Sequence, residues 1–316
     1  MTSEIHAVKG RCPSPALCGA VVVTFNPEVP PEALFRKLAG QAQLVLVVDN
    51  STQAASRERI RDAALRTGAE YLAQDSNKGV AGALNSGFAL LHSRGYSHGI
   101  SFDQDSTPAS DLCHRLMAHC SQHDELAVLG ADWQDVGTPD RKTLHVTPHP
   151  WLPFLFRRRP VDAKAQAPVA VSFCIMSGSC FSLSIWKQLG GFDERLMLDL
   201  VDQDFCLRAS RLGTKVALLP GARLEHHRGH KRPVHRFGVD WTPSFMSPHR
   251  LSCMFQNRVR LLFPWLVRHP HMAVHELAYS AKILFDVCFL EDRSGAKLAG
   301  ILRGITRALL RRPLRL

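Results

Sequence analysis

The sequence predicts an α/β fold in which a mostly parallel sheet is flanked by helices and followed by a helical C-terminal extension. Apolar runs typical of buried strands alternate with helical stretches over the first hundred residues, as in consecutive strand–helix–strand units. From about Pro248 the pattern is mostly helical. The chain has 316 residues, 45% of them hydrophobic, which is enough to bury a sizeable core.

Continuous apolar runs that end at Gly, Asn, Asp or Pro predict the individual strands, and longer amphipathic stretches predict the helices. The predicted strands are Ala20–Phe25, Leu44–Val48, Glu70–Ala73, His98–Phe102, Val169–Ile175 and Lys215–Leu219. The predicted helices are 31–42, 53–67, 77–93, 184–189 and 200–212. We expect a flexible leader at 1–17, one large domain at 18–250 containing a long loop at 137–168, and a helical region at 251–316.

The net charge and the cysteine content indicate which partners and which cellular compartment to expect. The formal net charge of +11 favours polyanionic partners: nucleic acid, anionic lipid or phosphorylated substrates. The nine cysteines are an odd number with no CxxC pair, which is typical of reduced thiols in the cytosol. Neither a signal peptide nor a run of about 20 uncharged apolar residues is visible, so we expect no spanning helix.

Three polar clusters follow predicted strands, at Thr24–Asn26, Asp49–Ser51 and Asp103–Ser106. In open parallel sheets, ligands bind at the carboxyl ends of the strands, so these clusters predict a ligand site at one edge. Asp103 and Asp105 could share Mg²⁺ or Mn²⁺ together with substrate phosphates, although a turn or a helix N-cap at Ser106 explains the same residues.

Two further segments fit a nucleotide site, and each also fits an ordinary structural role. The Asp49 carboxylate could accept the N3–H of a pyrimidine ring, or it could form an Asx turn that closes the strand. Asn77 and Gly79 begin a helix whose small residues would let an anion approach the backbone N–H groups, and Asn77 could equally be an N-cap.

Acidic and histidine-rich stretches supply candidates for catalysis and metal binding. Asp202 and Asp204 lie in an acidic stretch that also contains Asp199, and a carboxylate there could act as a general base; the alternative is a solvated helix face. His226 lies in a Glu-His-His-Arg-Gly-His run after a strand, and a neutral imidazole is a common metal ligand.

Taken in order, these clusters resemble the GT-A fold glycosyltransferases of family 2, in particular the bacterial rhamnosyltransferases of O-antigen or rhamnolipid synthesis. The resemblance spans about residues 20 to 260, so that 18–250 would be a GT-A catalytic domain. The matching pieces are Val22–Asn26, Val47–Ser51, Asn77–Ala81, Asp103–Ser106, Ser177–Gly178, Gly191–Glu194, Asp202–Arg208 and Leu224–Gly229.

The resemblance implies a role for each matching residue. Thr24, Asn26, Asp49, Asn77, Gly79, Asp103 and Asp105 would bind the nucleotide-sugar donor. Asp105 and His226 would hold Mg²⁺ or Mn²⁺, and Asp202 would be the catalytic base. Ser177, Gly178 and Asp204 would lie on the acceptor side.

Departures from the family pattern leave two assignments open. Val201-Asp202 stands where the family has Glu-Asp, which leaves Asp202 and Asp204 as alternatives for the base, with Asp199 as a helper. Gln256-Asn257-Arg258 stands where the family has Arg-Asn, so either Asn257 or Arg258 could meet the diphosphate.

The resemblance implies a dTDP-rhamnose donor, with UDP-sugars as the alternative, a glycolipid or lipid-linked glycan acceptor, no nucleic acid, and a cytoplasmic location peripheral to the inner membrane. A basic amphipathic helix at Lys297–Leu316, with Arg303, Arg307, Arg311, Arg312 and Arg315, would contact the membrane, or it could be a domain helix with a solvated face and a frayed tail. The segment Trp151–Arg159 could also touch lipid, or it could fold over the core.

Two other classes of protein remain as alternatives. The run Ile100–Thr107 also fits the DxDxT pattern of haloacid-dehalogenase phosphatases, with Asp103 as nucleophile and Asp105 as acid/base. A non-catalytic membrane or nucleic-acid binder would account for the charge of +11, but it gives no reason for carboxylates at strand ends.

Overall fold

A computed structural model describes residues 17–136, 144–162, 165, 167–226 and 232–310. Its strands are β1 (Cys18–Thr24), β2 (Leu44–Asp49), β3 (Glu70–Ala73), β4 (His98–Asp103), β5 (Thr107–Pro108), β6 (Leu126–Asp135), β7 (Leu144–Pro148), β8 (Phe156–Pro160), β9 (Val169–Ala170), β10 (Ser179–Ser182), β11 (Lys215–His226), β12 (Val234–Arg236) and β13 (Val239–Trp241). Its helices are α1 (Glu32–Ala39), α2 (Ala54–Arg66), α3 (Gly79–Ser93), α4 (Leu112–Cys120), α5 (Leu183–Gln188), α6 (Val201–Ser210), α7 (Pro248–Arg268), α8 (Pro270–Phe289) and α9 (Ser294–Leu309).

One central sheet organises the domain, in the order β3-β2-β1-β4-β10-β6-β11-β5, with β9 also paired to β11. The first four strands of this order are mutually parallel, whereas β10 is antiparallel to both of its neighbours. The chain runs outward from β1 through β2 to β3 and then returns to place β4 on the other side of β1. The order therefore reverses between β1 and β4, which is where open α/β sheets bind ligands.

Alternating side chains of β1 enter two separate apolar cores, one on each face of the sheet. Val21 and Val23 belong to the core beneath α3, α5 and α6, while Ala20 and Val22 belong to the core beneath α1, α2 and α4. Because both faces are covered, the strand is apolar without interruption, which is why it was predictable from the sequence.

The predicted α/β class and the first four strands are confirmed, whereas two later predictions are wrong. The expected strand Val169–Ile175 is only the two-residue β9. The expected long loop at 137–168 contains a hairpin, in which β7 pairs antiparallel with β8. Residues 137–143, 163, 164 and 166 of that loop lie outside the described residues. Within β7, Val146 is buried, so the segment packs onto the domain.

The C-terminal helices form a layer in which α9 lies directly on α7. Gly300 and Gly304 face the backbone carbonyls of Pro248 and Ser252, with no room for a Cβ. Ile301 is buried in the core between the helices, and Leu298 and Ile305 pack against that core. Most of the apolar face that was expected to contact a membrane is therefore covered by α7.

The basic face expected on this helix is also smaller than predicted. Lys297 is 4% exposed and its Nζ lies 2.8 Å from Glu291 Oε2, so it is a buried ion-pair partner and not a surface charge. Arg311, Arg312 and Arg315 lie outside the described residues. Among the described helices, none is both long and apolar enough to cross a bilayer.

The predicted leader at 1–17 lies outside the described residues except for its last position. There, the carbonyl of Leu17 accepts hydrogen bonds from Ser97 N at 3.1 Å and His98 N at 3.2 Å, so Leu17 is anchored to the start of β4. The eight described cysteines are all free thiols, and of these only Cys288 is exposed.

Candidate active site

Asp49 ends β2 and is completely buried, with both carboxylate oxygens engaged by neighbouring side chains. Thr24 Oγ1, at the end of β1, donates to Asp49 Oδ1 at 3.0 Å, and Ser51 N donates to the same oxygen at 2.9 Å. Tyr71 of β3 donates its hydroxyl to Asp49 Oδ2 at 2.8 Å. The structure thus joins Thr24 and Asp49 in one network that spans β1, β2 and β3, and Tyr71 is a member that the sequence did not reveal.

The loop after β1 is tied to the loop after β2 through Asn26. Its backbone N donates to Ser51 Oγ at 2.8 Å, and its side-chain oxygen accepts from Thr52 N at 3.1 Å and Gln53 N at 3.2 Å. Asn26 itself has a left-handed backbone, with φ 40°. Its side chain therefore supports the start of α2, and it shapes the loop above the β1–β4 crevice.

Asn77 and Gly79 form a tight turn into α3. Asn77 Oδ1 accepts from Gly79 N at 2.9 Å, and Asn50 Nδ2 donates to the carbonyl of Gly79 at 2.8 Å. Gly79 has φ +69°, and a Cβ there would collide with the backbone of Met197. Only glycine fits, because both the backbone conformation and the neighbouring chain exclude a side chain.

That close approach joins helix α3 to the segment before α6. Val80 N donates to the carbonyl of Met197 at 2.6 Å. Met197 and Leu200 both have positive φ, at 55° and 66°. The strained turn between them places Val201 and Asp202 at the start of α6, beside the α3 N-terminus.

The structure brings Asp103, Asp105 and His226 together, although His226 is 121 residues from Asp105 in the chain. One ligand atom from each residue lies within 4.8 Å of the others. His226 Nε2 lies 3.8 Å from Asp103 Oδ2, and His226 Nδ1 lies 3.9 Å from Asp105 Oδ1. Two carboxylates and an imidazole are a donor set that suits Mn²⁺ or Mg²⁺, and their spacing leaves room for an ion between them.

Two serines support this cluster from the interior. Ser177 Oγ accepts from Asp103 N at 3.1 Å and lies 2.6 Å from Ser106 Oγ, which in turn lies 3.4 Å from His226 Nδ1. Gly178, with φ +72°, is packed against Leu224 and Ala131. Ser177, which was expected on the acceptor side, thus supports Asp103 directly and His226 through Ser106.

The charges around Asp103 favour a bound cation. Burial raises the pKa of the Asp103 carboxyl, and Asp105 raises it further, whereas His226 and Arg250 oppose the shift. A cation between the two carboxylates would relieve their repulsion. Arg250, exposed in the first turn of α7, is a positive group near the cluster that the sequence did not single out.

Asp202 lies in the first turn of α6, half-buried, with its Oδ1 accepting from Gln203 N at 2.8 Å. Burial raises the pKa of Asp202 to about 7, and the charges of Asp199 and Asp103 raise it as well. A carboxylate with a pKa near neutrality is a suitable general base, because it is basic enough to take a proton and is largely ionised above pH 7. The influence of Asp103 places Asp202 in the same electrostatic environment as the candidate metal cluster.

Comparison with known proteins identifies the family. Residues 20–183 match the model of Glycosyl transferase family 2, and this match covers more than half of the chain. The chain belongs to glycosyl transferase family 2. The haloacid-dehalogenase and non-catalytic alternatives are thereby replaced by a glycosyltransferase.

Individual relatives agree with this assignment. The dTDP-rhamnosyl transferase RfbF of Shigella flexneri is 28% identical over 214 residues, which are 67% of this chain and 69% of that protein. Among solved structures, residues 1–349 of S. aureus TarS match with a TM-score of 0.58 and 13% identity over 92% of this chain and 80% of that one. The same TarS fragment in complex with UDP-GlcNAc matches with a TM-score of 0.56 and 14% identity, covering 92% and 81% of the two chains. These structural matches confirm the predicted GT-A fold.

In this family 2 glycosyltransferase, Asp204 is used differently from Asp202. Asp204 is buried and its Oδ2 accepts from Arg208 Nε at 2.7 Å. Arg208 also donates to the carbonyls of Leu189 and Gly191, at 3.1 and 2.9 Å. Arg208 thus ties α6 to the Leu189–Gly191 turn that follows α5. Because Asp204 is held in this ion pair, Asp202 is the better candidate for the base.

Asn257 and Arg258, the two candidates for diphosphate contact, both face the segment before α6. Asn257 Nδ2 donates to the carbonyls of Leu196 and Asp199, at 2.7 and 2.8 Å. Arg258 NH1 lies 3.0 Å from Asp199 Oδ2, and its Nε lies 3.0 Å from Glu276 Oε2. These contacts position the backbone that leads into Asp202. The sequence carried no signal for Glu276, because its partner is 18 residues away on another helix.

Proposed function

We propose that this glycosyltransferase is an inverting, metal-dependent enzyme that transfers L-rhamnose from dTDP-L-rhamnose to a hydroxyl of a glycolipid or lipid-linked glycan. The observation that carries the proposal is the meeting of Asp103, Asp105 and His226 beyond the end of β4. The charge of Asp103 also helps to raise the pKa of Asp202. This arrangement offers a cation site for a diphosphate and a base for an acceptor hydroxyl.

The donor would lie across the ends of β1, β2 and β4. Asp49 and Thr24 lie buried beneath the proposed base site, and Asp49 would meet the base once the Tyr71 hydroxyl is displaced from its Oδ2. Asn26 and the Asn77–Gly79 turn would form the walls of the nucleotide site. Asp103, Asp105 and His226 would hold Mg²⁺ or Mn²⁺, which when bound supplies Lewis-acid stabilisation of the leaving diphosphate. The N-terminus of α3 adds a favourable dipole for a phosphate group.

Asp202 would act as the base in a single displacement. Its carboxylate takes the proton of the acceptor hydroxyl while that oxygen forms a bond to the anomeric carbon. The bond from the anomeric carbon to the phosphate oxygen breaks, and the nucleoside diphosphate leaves with its electron pair. Because attack and departure occur on opposite faces of the sugar, the anomeric configuration inverts.

The choice of donor rests on the relationship to the Shigella flexneri dTDP-rhamnosyl transferase. A lipid-linked or glycolipid acceptor, of O-antigen or rhamnolipid type, is supported by the net charge of +11, which favours an anionic membrane surface. We place the enzyme in the cytoplasm, peripheral to the inner membrane. Arg303 and Arg307 of α9 remain candidate contacts, with Leu302 and Leu309 exposed beside them.

Calorimetric titration of dTDP and UDP into the purified protein, with Mg²⁺, Mn²⁺ or EDTA, tests the donor site. We expect dTDP to bind only with metal, Asp105→Ala to abolish this binding and Asp49→Ala to weaken it. Asp62→Ala, which removes an exposed carboxylate of α2, is the matched control and should bind normally. If neither nucleotide binds under any metal condition, the proposed site is wrong; if UDP binds and dTDP does not, the proposed donor is wrong.

A further inference from the structure

The β7–β8 hairpin presents three bulky apolar side chains to solvent at its tip. Trp151 is 85% exposed, Phe154 51% and Leu152 43%. The connecting loop is compact, because His149 N donates to the carbonyl of Leu155 and Leu155 N to the carbonyl of Leu152, both at 2.8 Å. The apolar side chains are therefore turned outward by a hydrogen-bonded loop.

The base of the hairpin is fixed to the body of the protein. Arg158 NH2 lies 3.1 Å from His275 Nε2 of α8, and the rings of Phe156 and His275 meet edge to face at 5.1 Å. On the other strand, Ser172 N donates to the carbonyl of Val146 at 2.8 Å. The exposed tip thus projects from a supported strand pair.

Basic residues lie immediately behind this tip. Arg157 and Arg159 are exposed on β8, and since alternate residues of a strand share a face, both guanidinium groups belong to the same side of the hairpin. Residues 144–160 contain no Asp or Glu.

We infer that the tip of the β7–β8 hairpin is a docking site for an anionic lipid bilayer, with Trp151, Leu152 and Phe154 entering the interface and Arg157 and Arg159 contacting the lipid headgroups. Trp is favoured at the membrane interface, and interfacial elements bury their apolar side chains by about 5–10 Å. With a rise of about 3.3 Å per strand residue, the arginines lie at the right depth to meet phosphate groups.

Charge complementarity favours this occupant over a second copy of the chain. Two hairpins meeting about a two-fold axis would bring four arginines together, and the hairpin has no acidic residue to pair with them. An anionic leaflet instead attracts basic groups near its surface. The inference rests on the membrane location in the proposed function, but it is independent of the transfer chemistry.

Co-sedimentation with vesicles tests the hairpin directly. The full-length protein, without donor, would be mixed with vesicles of phosphatidylcholine alone or of phosphatidylcholine and phosphatidylglycerol. We expect binding to the anionic vesicles, reduced about tenfold or more in Trp151→Ala/Phe154→Ala, which removes two large apolar side chains. Arg157→Gln/Arg159→Gln should reduce binding and weaken its dependence on salt. Leu65→Ala, which shortens an exposed apolar side chain on α2, is the matched control.

The outcomes separate this inference from the proposed function. The hairpin inference would be overturned if Trp151→Ala/Phe154→Ala bound vesicles as well as Leu65→Ala does. It would also be overturned if the unmodified protein did not bind vesicles. Loss of self-association in the double variant, with unchanged vesicle binding, would overturn it in favour of a protein interface. Calorimetry with dTDP on the same variants checks that they are folded and keep the donor site. If dTDP fails to bind while vesicle binding behaves as expected, only the proposed function is contradicted.

Discussion

Arg258 of α7 lies 3.0 Å from Asp199, three residues before the proposed base Asp202. The same guanidinium lies 3.0 Å from Glu276 of α8, whose other oxygen lies 3.0 Å from His275 Nδ1. Helices α7 and α8 thus contact the segment before Asp202 through the buried side chains of Arg258 and Glu276. Because Asp199 raises the pKa of Asp202, the partner that neutralises Asp199 also controls how readily Asp202 ionises.

Replacement of Arg258 by Met should therefore change both stability and the pH dependence of transfer. Leaving Asp199 and Glu276 without their cation should cost about 3–5 kcal/mol of the free energy of unfolding. The acid limb of the rate profile should move to higher pH, because an unneutralised Asp199 disfavours ionised Asp202. Asp199→Asn should move the limb to lower pH. Chemical denaturation and a pH series of kcat measure the two effects, and opposite or absent shifts of the limb would contradict the proposed coupling.

Replacement of His226 by Ala should weaken metal-dependent dTDP binding about tenfold or more, by analogy with the effect of disturbing the surroundings of a metal site. The Asp103 and Asp105 carboxylates would remain, so raised Mn²⁺ concentration should restore part of the binding. His235→Ala, at an exposed histidine of β12, is the control. Calorimetry at several Mn²⁺ concentrations measures the change; equal metal dependence in both variants would remove His226 from the site.

Asp202→Asn should retain dTDP binding and lose transfer activity by about 10²–10⁴-fold, the usual contribution of a general base. In the unmodified enzyme, kcat should fall as the pH drops below the Asp202 pKa of about 7. Transfer activity in Asp202→Asn equal to that of the unmodified enzyme would assign the base to another residue.

The same substitution should stabilise the fold at alkaline pH. The pKa of Asp202 is raised in the folded state, so its ionisation destabilises the protein as the pH rises from about 4 to 7, and the full cost remains above 7. Asp202→Asn should therefore raise the free energy of unfolding at pH 8, on the order of 4 kcal/mol, and much less at pH 4. Urea denaturation at both pH values measures this, and the reverse order of the two increments would refute the raised pKa.

Gly304 and Gly295 of α9 provide a matched pair for the α7–α9 contact. A Cβ at Gly304 would collide with the carbonyl oxygen of Ser252, whereas a Cβ at Gly295 meets nothing within 4 Å. Gly304→Ala should destabilise by about 1–3 kcal/mol through overpacking. Gly295→Ala should stabilise by up to about 1 kcal/mol through helix propensity. Thermal unfolding distinguishes them, and equal shifts would show that α9 is not pressed against α7.

Strands β1 and β2 were predictable because their buried residues form uninterrupted apolar runs. The polar clusters at Asp49 and Asp103 were predictable as a site, since the ends of neighbouring parallel strands must meet. Their detailed geometry was not. The hydrogen bond from Tyr71 to Asp49 crosses between strands, and the Asp103–His226 proximity depends on β11 pairing with β6 and β5.

Three features of the second half of the chain were not predicted correctly, each for a different physical reason. β8 is mostly exposed and contains three consecutive arginines, so it lacks the apolar pattern from which a strand is predicted. Lys297 belongs to an amphipathic pattern, yet it is buried because Glu291 is placed to neutralise it. The predicted strand at Val169–Ile175 ends at Ala170. Val171 N still donates to the carbonyl of Val216 in β11, but Ser172 N donates to the carbonyl of Val146 in β7 instead.

The contact between Gly79 and Met197 has a consequence for the redesign of this enzyme. Val80 N, at the turn that would line the nucleotide site, donates to the carbonyl of Met197, so the nucleotide site and the segment that leads into Asp202 share one support. If the Asn77–Val80 turn were replaced by that of a relative with a different nucleotide preference, the position of Asp202 would change as well. Chimaeric enzymes that keep activity should therefore take Asn77–Val80 and Leu196–Leu200 from the same parent.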